Sequence, residues 1–141
     1  MKNYKLILQY DGTRYSGWQK QGNTDNTIQA KLETIASKLT GVPTDVNGSG
    51  RTDAGVHALG QVANFRCEES TLPPKFLRSE ETVTDLIRDY FNNALPMDVR
   101  VLSVSEAPAR FHARLNAKEK HYRYVIDNAA VPDVFTRRYA A

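Results

Sequence analysis

The sequence predicts an α+β fold, a split β-α-β-β-α-β order followed by one more strand. Three observations predict it. β-rich runs near 4–10, 60–67 and 98–105 alternate apolar with polar residues. Two other segments repeat apolar residues at helical spacing, and a glycine-rich turn at residues 48–58 links two of the strands.

Taken in order, YKLILQY (4–10) alternates and forms the first strand, and a long polar and aromatic loop fills 11–25. The first helix places Ile28, Leu32, Ile35, Ala36 and Leu39 on one face, with Asn26 as N-cap and Gln29 at the capping-box position. Gly41 and Pro43 stop it. A second strand near 44–49 leads into the glycine turn, and 60–67 (GQVANFRC) forms the third. Polar, proline-rich residues 68–81 form a connection. The second helix lines up Val83, Leu86, Ile87, Tyr90, Phe91 and Ala94 behind Thr82 as N-cap, and Leu95-Pro96 ends it. The fourth strand covers about 98–105. A fifth, about 118–127, alternates Tyr122, Tyr124 and Ile126. After Asn128 no strong element follows; either the chain continues beyond this basic end or the terminus simply frays.

At 141 residues the chain is one domain by length, with ordinary hydrophobic (40%) and charged (25%) content for a soluble globular protein. No apolar run reaches membrane-spanning length, and MKNYKLILQYDG has no signal-peptide core, so the expectation is a cytoplasmic protein with no membrane association. The single cysteine, Cys67, excludes an internal disulfide framework and reads as a small apolar residue. His57, His112 and His121 show no metal-ligand spacing with it, so a zinc site is not expected.

The richest segment is GSGRTDAGVHA, Gly48–Ala58. Its glycines permit a sharp turn and close approach of a ligand. Arg51, two positions before Asp53, favours the ionised carboxylate and orients it. A presented, charged aspartate suits a nucleophile or general base; an aspartate that only shapes the turn fits equally. Nucleotide-loop readings fail on spacing. Gly55 is followed by Val56 and His57 instead of Lys and Ser/Thr, and Asp53 stands where a dinucleotide fingerprint needs its third glycine. A carboxylate-dependent hydrolase lacks a second acid at useful spacing.

The net charge of +3 is uneven. Residues 1–107 hold 12 Lys+Arg against 13 Asp+Glu, whereas 108–141 hold 7 against 3. The basic end interleaves Arg110, Phe111, His112, Arg114, Lys118, Lys120, His121, Tyr122, Arg123 and Tyr124. Cations for phosphate beside rings for bases compose an RNA surface; a solvated strand face explains the charges as well.

At Arg51–Gly55 the sequence meets a known pattern. GRTDAGVHALGQVANF resembles the signature of the TruA family of tRNA pseudouridine synthases. YDGTRYSGWQKQ (10–21), FNNALPMDVRV (91–101) and FHARLNAKEKHYRY (111–124) resemble three further family segments in the same order. The resemblance implies an RNA-recognition or ferredoxin-like half of a two-half synthase fold. Residues 1–128 would be the N-terminal catalytic half, and 129–141 the start of a connection to a C-terminal half.

It also implies a uridine-to-pseudouridine isomerase acting on the tRNA anticodon stem-loop without cofactor, as a homodimer when full length. Asp53 would be the essential carboxylate. Attack at C6, attack at C1′ and removal of a ribose proton stay open to it. Arg51 would pair with it, and Tyr122 would stack on the uracil with a hydroxyl able to shuttle a proton, although a strand tyrosine also packs cores. Arg14, Lys20, Arg114 and Arg123 would meet RNA, His57 would brace the turn or touch RNA, and Trp18 would anchor its loop. This half alone would be inactive. The reading from a different class is a non-catalytic RNA-binding module of the split-βαβ type.

Overall fold

The structure, a computed structural model, describes residues 1–21, 26–50 and 54–113. Its centre is β1 (Lys2–Tyr10), where alternation puts Tyr4, Leu6, Leu8 and Tyr10 on one buried face. β1 pairs antiparallel with β3 (Ala58–Cys67) on one side and β4 (Val99–Ala107) on the other, and β3 pairs antiparallel with the short β2 (Asn47–Gly48). The sheet order is β2-β3-β1-β4. β1 and β2 are therefore parallel with β3 inserted between them, which is the split-βαβ arrangement the sequence predicts.

Helices α1 (Ile28–Thr40) and α3 (Val83–Ala94) cover the apolar face. Ile28, Leu32, Ile35, Ala36 and Leu39 of α1 are buried with Ile87 and Phe91 of α3. Phe65 sits between Tyr4 and Phe91, with ring centroids 5.6 and 5.8 Å away. Each such side chain removed from water contributes roughly 1.5–3 kcal/mol, so this face carries the fold.

Several boundaries differ from the sequence reading, each for a local reason. α1 is capped by Thr27, whose Oγ1 accepts from Ala30 N at 3.2 Å. Asn26 instead donates its amide to the Arg14 carbonyl at 2.6 Å. Gln29 makes no capping box: its Oε1 accepts from Lys20 N (2.9 Å) and its Nε2 donates to Val46 O (2.8 Å), tying the first loop to the strand approach. The second strand shrinks to two residues because the backbone before it bonds to helix side chains. Val46 N donates to Glu33 Oε2 and Thr44 N to Ser37 Oγ, both at 3.0 Å. β1 begins two residues earlier than expected, β3 also starts earlier, at Ala58, and β4 runs on to Ala107.

The 68–81 connection contains a 3-10 turn, Glu69–Thr71, and a short helix α2 (Pro74–Arg78). The buried Phe76 of α2 meets Tyr90 edge-on at 6.3 Å. The expected fifth strand, about 118–127, lies outside the described residues. Among the described residues no helix is long and apolar enough to cross a membrane.

Candidate functional site

The glycine turn leaves β2 and enters β3, and both of its shoulders are fixed. Ser49 N donates to Val62 O at 2.8 Å, and the Gln61 amide donates to Gly50 O at 2.8 Å. On the far side Gly55 N donates to Tyr15 O at 3.2 Å. Arg51 and Asp53 lie between these anchors, outside the described residues. Gly48 has to be glycine: a Cβ there would come within 2.5 Å of the Trp18 indole. Trp18 is 2% exposed and stacked on Tyr10 (6.3 Å between centroids), an anchor for the first loop.

The first loop closes against the end of the turn. Gly12 N donates to His57 Nδ1 at 2.9 Å, and a Cβ on Gly12 would overlap the Val56 carbonyl oxygen. Because Nδ1 accepts, the neutral imidazole carries its proton on Nε2. Asp11 Oδ1 also lies 3.2 Å from Nδ1, a contact that becomes an ion pair only if the ring is protonated. Asp11 Oδ1 meanwhile caps its own turn, accepting from Thr13 N at 3.0 Å and from the Thr13 hydroxyl.

Asp98, just before β4, ties this loop to the sheet. Its carboxylate accepts from the Tyr15 hydroxyl at 2.8 Å and pairs with Arg14 Nη2 at 3.1 Å, while its carbonyl accepts from Asp11 N at 2.9 Å. Burial first, then the bond to Asp98, pushes the Tyr15 phenol well above its ordinary range, so it stays a neutral donor.

These residues surround a hollow of about 450 Å³ whose wall includes Asp11, Arg14, His57, Met97, Asp98 and Arg100. Arg100 is committed elsewhere, with Nη1 on the carbonyls of Asn92, Leu95, Pro96 and Val99 at 3.0–3.3 Å at the end of α3. Arg14, with its side chain 76% exposed, presents a guanidinium at the mouth. Such a group suits a phosphate.

Of the residues singled out in the sequence, the structure brings Arg14 and His57 together at this hollow. Lys20 is not part of its wall. Its ammonium is bonded to Glu33 Oε1 at 2.9 Å on the α1 side, and that bond, followed by Coulomb attraction, raises the lysine pKa. Arg114, Tyr122 and Arg123 lie outside the described residues, as do Arg51 and Asp53. Among the described residues no group of three or more His, Cys, Asp or Glu could hold a metal ion. Tyr15, Gln61 and Asp98 escaped the sequence reading. Their partners lie far along the chain, and only the placement of Asp98 within LPMDVRV hinted at one of them.

A family model described as tRNA pseudouridine synthase matches residues 6–116, which include the whole glycine turn, the first loop and β4. The chain belongs to the tRNA pseudouridine synthase family. Similar members include tRNA pseudouridine synthase A of Bacillus sp. (strain KSM-64), 49% identical over 99% of this chain and 53% of the relative. tRNA pseudouridine synthase A 2 of Bacillus anthracis is 46% identical over the same shares of the two chains. tRNA pseudouridine synthase A of Brevibacillus brevis is 44% identical over 99% of this chain and 52% of its own length. The chain thus spans about half the length of the curated family members it matches.

Proposed function

We propose that the chain is the N-terminal half of a tRNA pseudouridine synthase, with Asp53 as its essential carboxylate. Residues 1–128 form the catalytic half, and 129–141 begin the connection to a C-terminal half. The reaction is an isomerisation. The N1–C1′ bond of a uridine breaks, the uracil turns, C5 bonds to C1′, the C5 proton leaves and N1 takes up a proton. Asp53 supplies the nucleophilic or basic step and Arg51 holds it ionised. Tyr122 stacks on the uracil after the nucleotide has left its helix, since a stacked base cannot be reached. Arg14, Lys20, Arg114 and Arg123 meet RNA, and His57 braces the turn from the first loop. The substrate region is the anticodon stem-loop, the full-length enzyme is a cytoplasmic homodimer, and no cofactor takes part.

One observation supports this reading above the others. In a chain that matches the family, the turn carrying Arg51 and Asp53 is pinned at Gly50 and Gly55, beside a hollow with the exposed guanidinium of Arg14 at its mouth. Anchored shoulders limit the positions a reactive carboxylate can take, and a nearby cation suits an RNA phosphate.

The test is release of tritium from tRNA labelled at uridine C5, using the full-length protein. Time-dependent release supports the synthase. Retained tRNA binding with no release would replace it with a binding module.

A further inference from the structure

The sheet face turned away from α1 and α3 carries two buried amides, Asn3 on β1 and Asn64 on β3, 1% and 0% exposed. They form one relay. Ala113 N donates to Asn64 Oδ1 at 2.9 Å, and Asn64 Nδ2 donates to Asn3 Oδ1 at 3.0 Å. Asn3 Nδ2 then donates to the carbonyls of Pro108 and Phe111 at 3.0 and 2.8 Å. Arg66 reinforces it, with Nη2 on Phe111 O at 2.6 Å and Nε on Ala109 O at 3.3 Å, and the Lys5 ammonium lies 5.7 Å from the Phe111 ring centroid.

Asparagine is a poor strand former, and a buried amide is costly unless its groups are satisfied. Here the bonds go to each other and to the backbone of 108–113, a stretch outside the regular elements. The pair therefore fixes where the chain runs after β4 and how it leaves Ala113, immediately before Arg114. The same strand also anchors the glycine turn. Gln61 of β3 carries the Gly50 carbonyl, and Asn64 pairs with Asn47, next to Gly48. β3 thus holds one shoulder of the Asp53 turn and the root of the segment bearing Arg114 and Tyr122, about 10 Å apart by strand rise.

We propose that Asn3 and Asn64 are positioning residues for the isomerisation: their relay fixes the path of the chain over 108–113, the stretch from which Arg114 and Tyr122 follow in sequence. This rests on the proposed function. Neither side chain touches substrate, so their loss should lower the rate of the chemical step and spare tRNA binding.

The experiment uses the full-length protein with Asn64→Leu, Asn3→Leu and the double variant. It measures single-turnover tritium release, tRNA affinity and thermal unfolding. Expected for each single variant, folded at the assay temperature, is a rate at least about tenfold lower, in keeping with the cost of small misplacements, and an affinity within about twofold of the parent. The double variant should be little slower than Asn64→Leu alone, because one relay is broken once. If Asn64→Leu does not fold, Asn3→Leu, which keeps the Ala113 bond, decides. A folded variant that lowers only the unfolding temperature and releases tritium at the parental rate would overturn the positioning role. Release by no protein, the parent included, would overturn the proposed function and this role with it.

Discussion

The Tyr15 hydroxyl donates to Asp98 Oδ1 at 2.8 Å, and through that bond the first loop is held to the start of β4. The backbone carbonyl of the same tyrosine receives Gly55 N at the shoulder of the glycine turn. A sheet end, a loop and the turn are thus joined through one residue.

Tyr15→Phe deletes the hydroxyl and leaves Asp98 paired with Arg14. A hydrogen bond to a charged acceptor is worth about 1.5–3 kcal/mol, so unfolding free energy should fall by that order. Asp98→Ala should cost at least as much, because it leaves the part-buried Tyr15 hydroxyl in place without its acceptor, while the exposed Arg14 guanidinium stays solvated. Urea unfolding of the full-length protein measures both. An unchanged urea midpoint for Tyr15→Phe would show that the bond contributes nothing.

Alkaline stability should follow from the same tyrosine and from Tyr4. Burial pushes Tyr4 from 10.0 up to about 12, and burial with the Asp98 bond pushes Tyr15 further. The folded state favours the neutral phenols, so their contribution is complete below pH 10. It is lost as pH rises from 10 towards 12, because the unfolded chain gives up protons that the fold retains. The thermal midpoint should drop across that window, and tyrosinate absorbance should show late-titrating phenols. A flat midpoint with all phenols ionising together near pH 10 would contradict this.

Gly12→Ala places a methyl group on the Val56 carbonyl oxygen, backbone that cannot swing aside. The first loop should be driven off the turn, breaking the Gly12–His57 bond, with about 1–3 kcal/mol of stability lost to overpacking. Tritium release should fall more than tRNA affinity. His57→Ala removes the acceptor without the clash and should reproduce the rate loss in milder form. Full activity in Gly12→Ala would mean that the loop contact is dispensable.

How much of this was legible beforehand depends on the range of each interaction. The core faces of β1, α1 and α3 could be read because periodicity is local, and the Thr82 cap because its hydroxyl serves Asp85 N three residues on. The capping of α1 was misread: Asn26 and Thr27 are both good caps, and what separated them was the Arg14 carbonyl claiming Asn26. α2 was missed because five residues starting at Pro74, with one buried side chain, show no periodicity. At the site, the turn stood out by composition, but Gln61, Tyr15 and Asp98 matter through partners distant in sequence, which no motif records.

Lys20 separates stability from binding. Its pair with Glu33 is exposed on the lysine side, so Lys20→Ala should change unfolding free energy by less than about 1 kcal/mol. If Lys20 meets an RNA phosphate, the slope of log affinity against log salt should fall by about one. An unchanged slope would assign the lysine to its pair with Glu33 alone.

The most direct measurement compares the full-length protein with its Asp53→Asn variant on tRNA tritiated at uridine C5, with tRNA binding followed in parallel. The account predicts release by the parent, none above background by the variant, and affinity within about twofold. Release by Asp53→Asn at a rate near that of the parent would contradict it, since the carboxylate would then not carry the reaction.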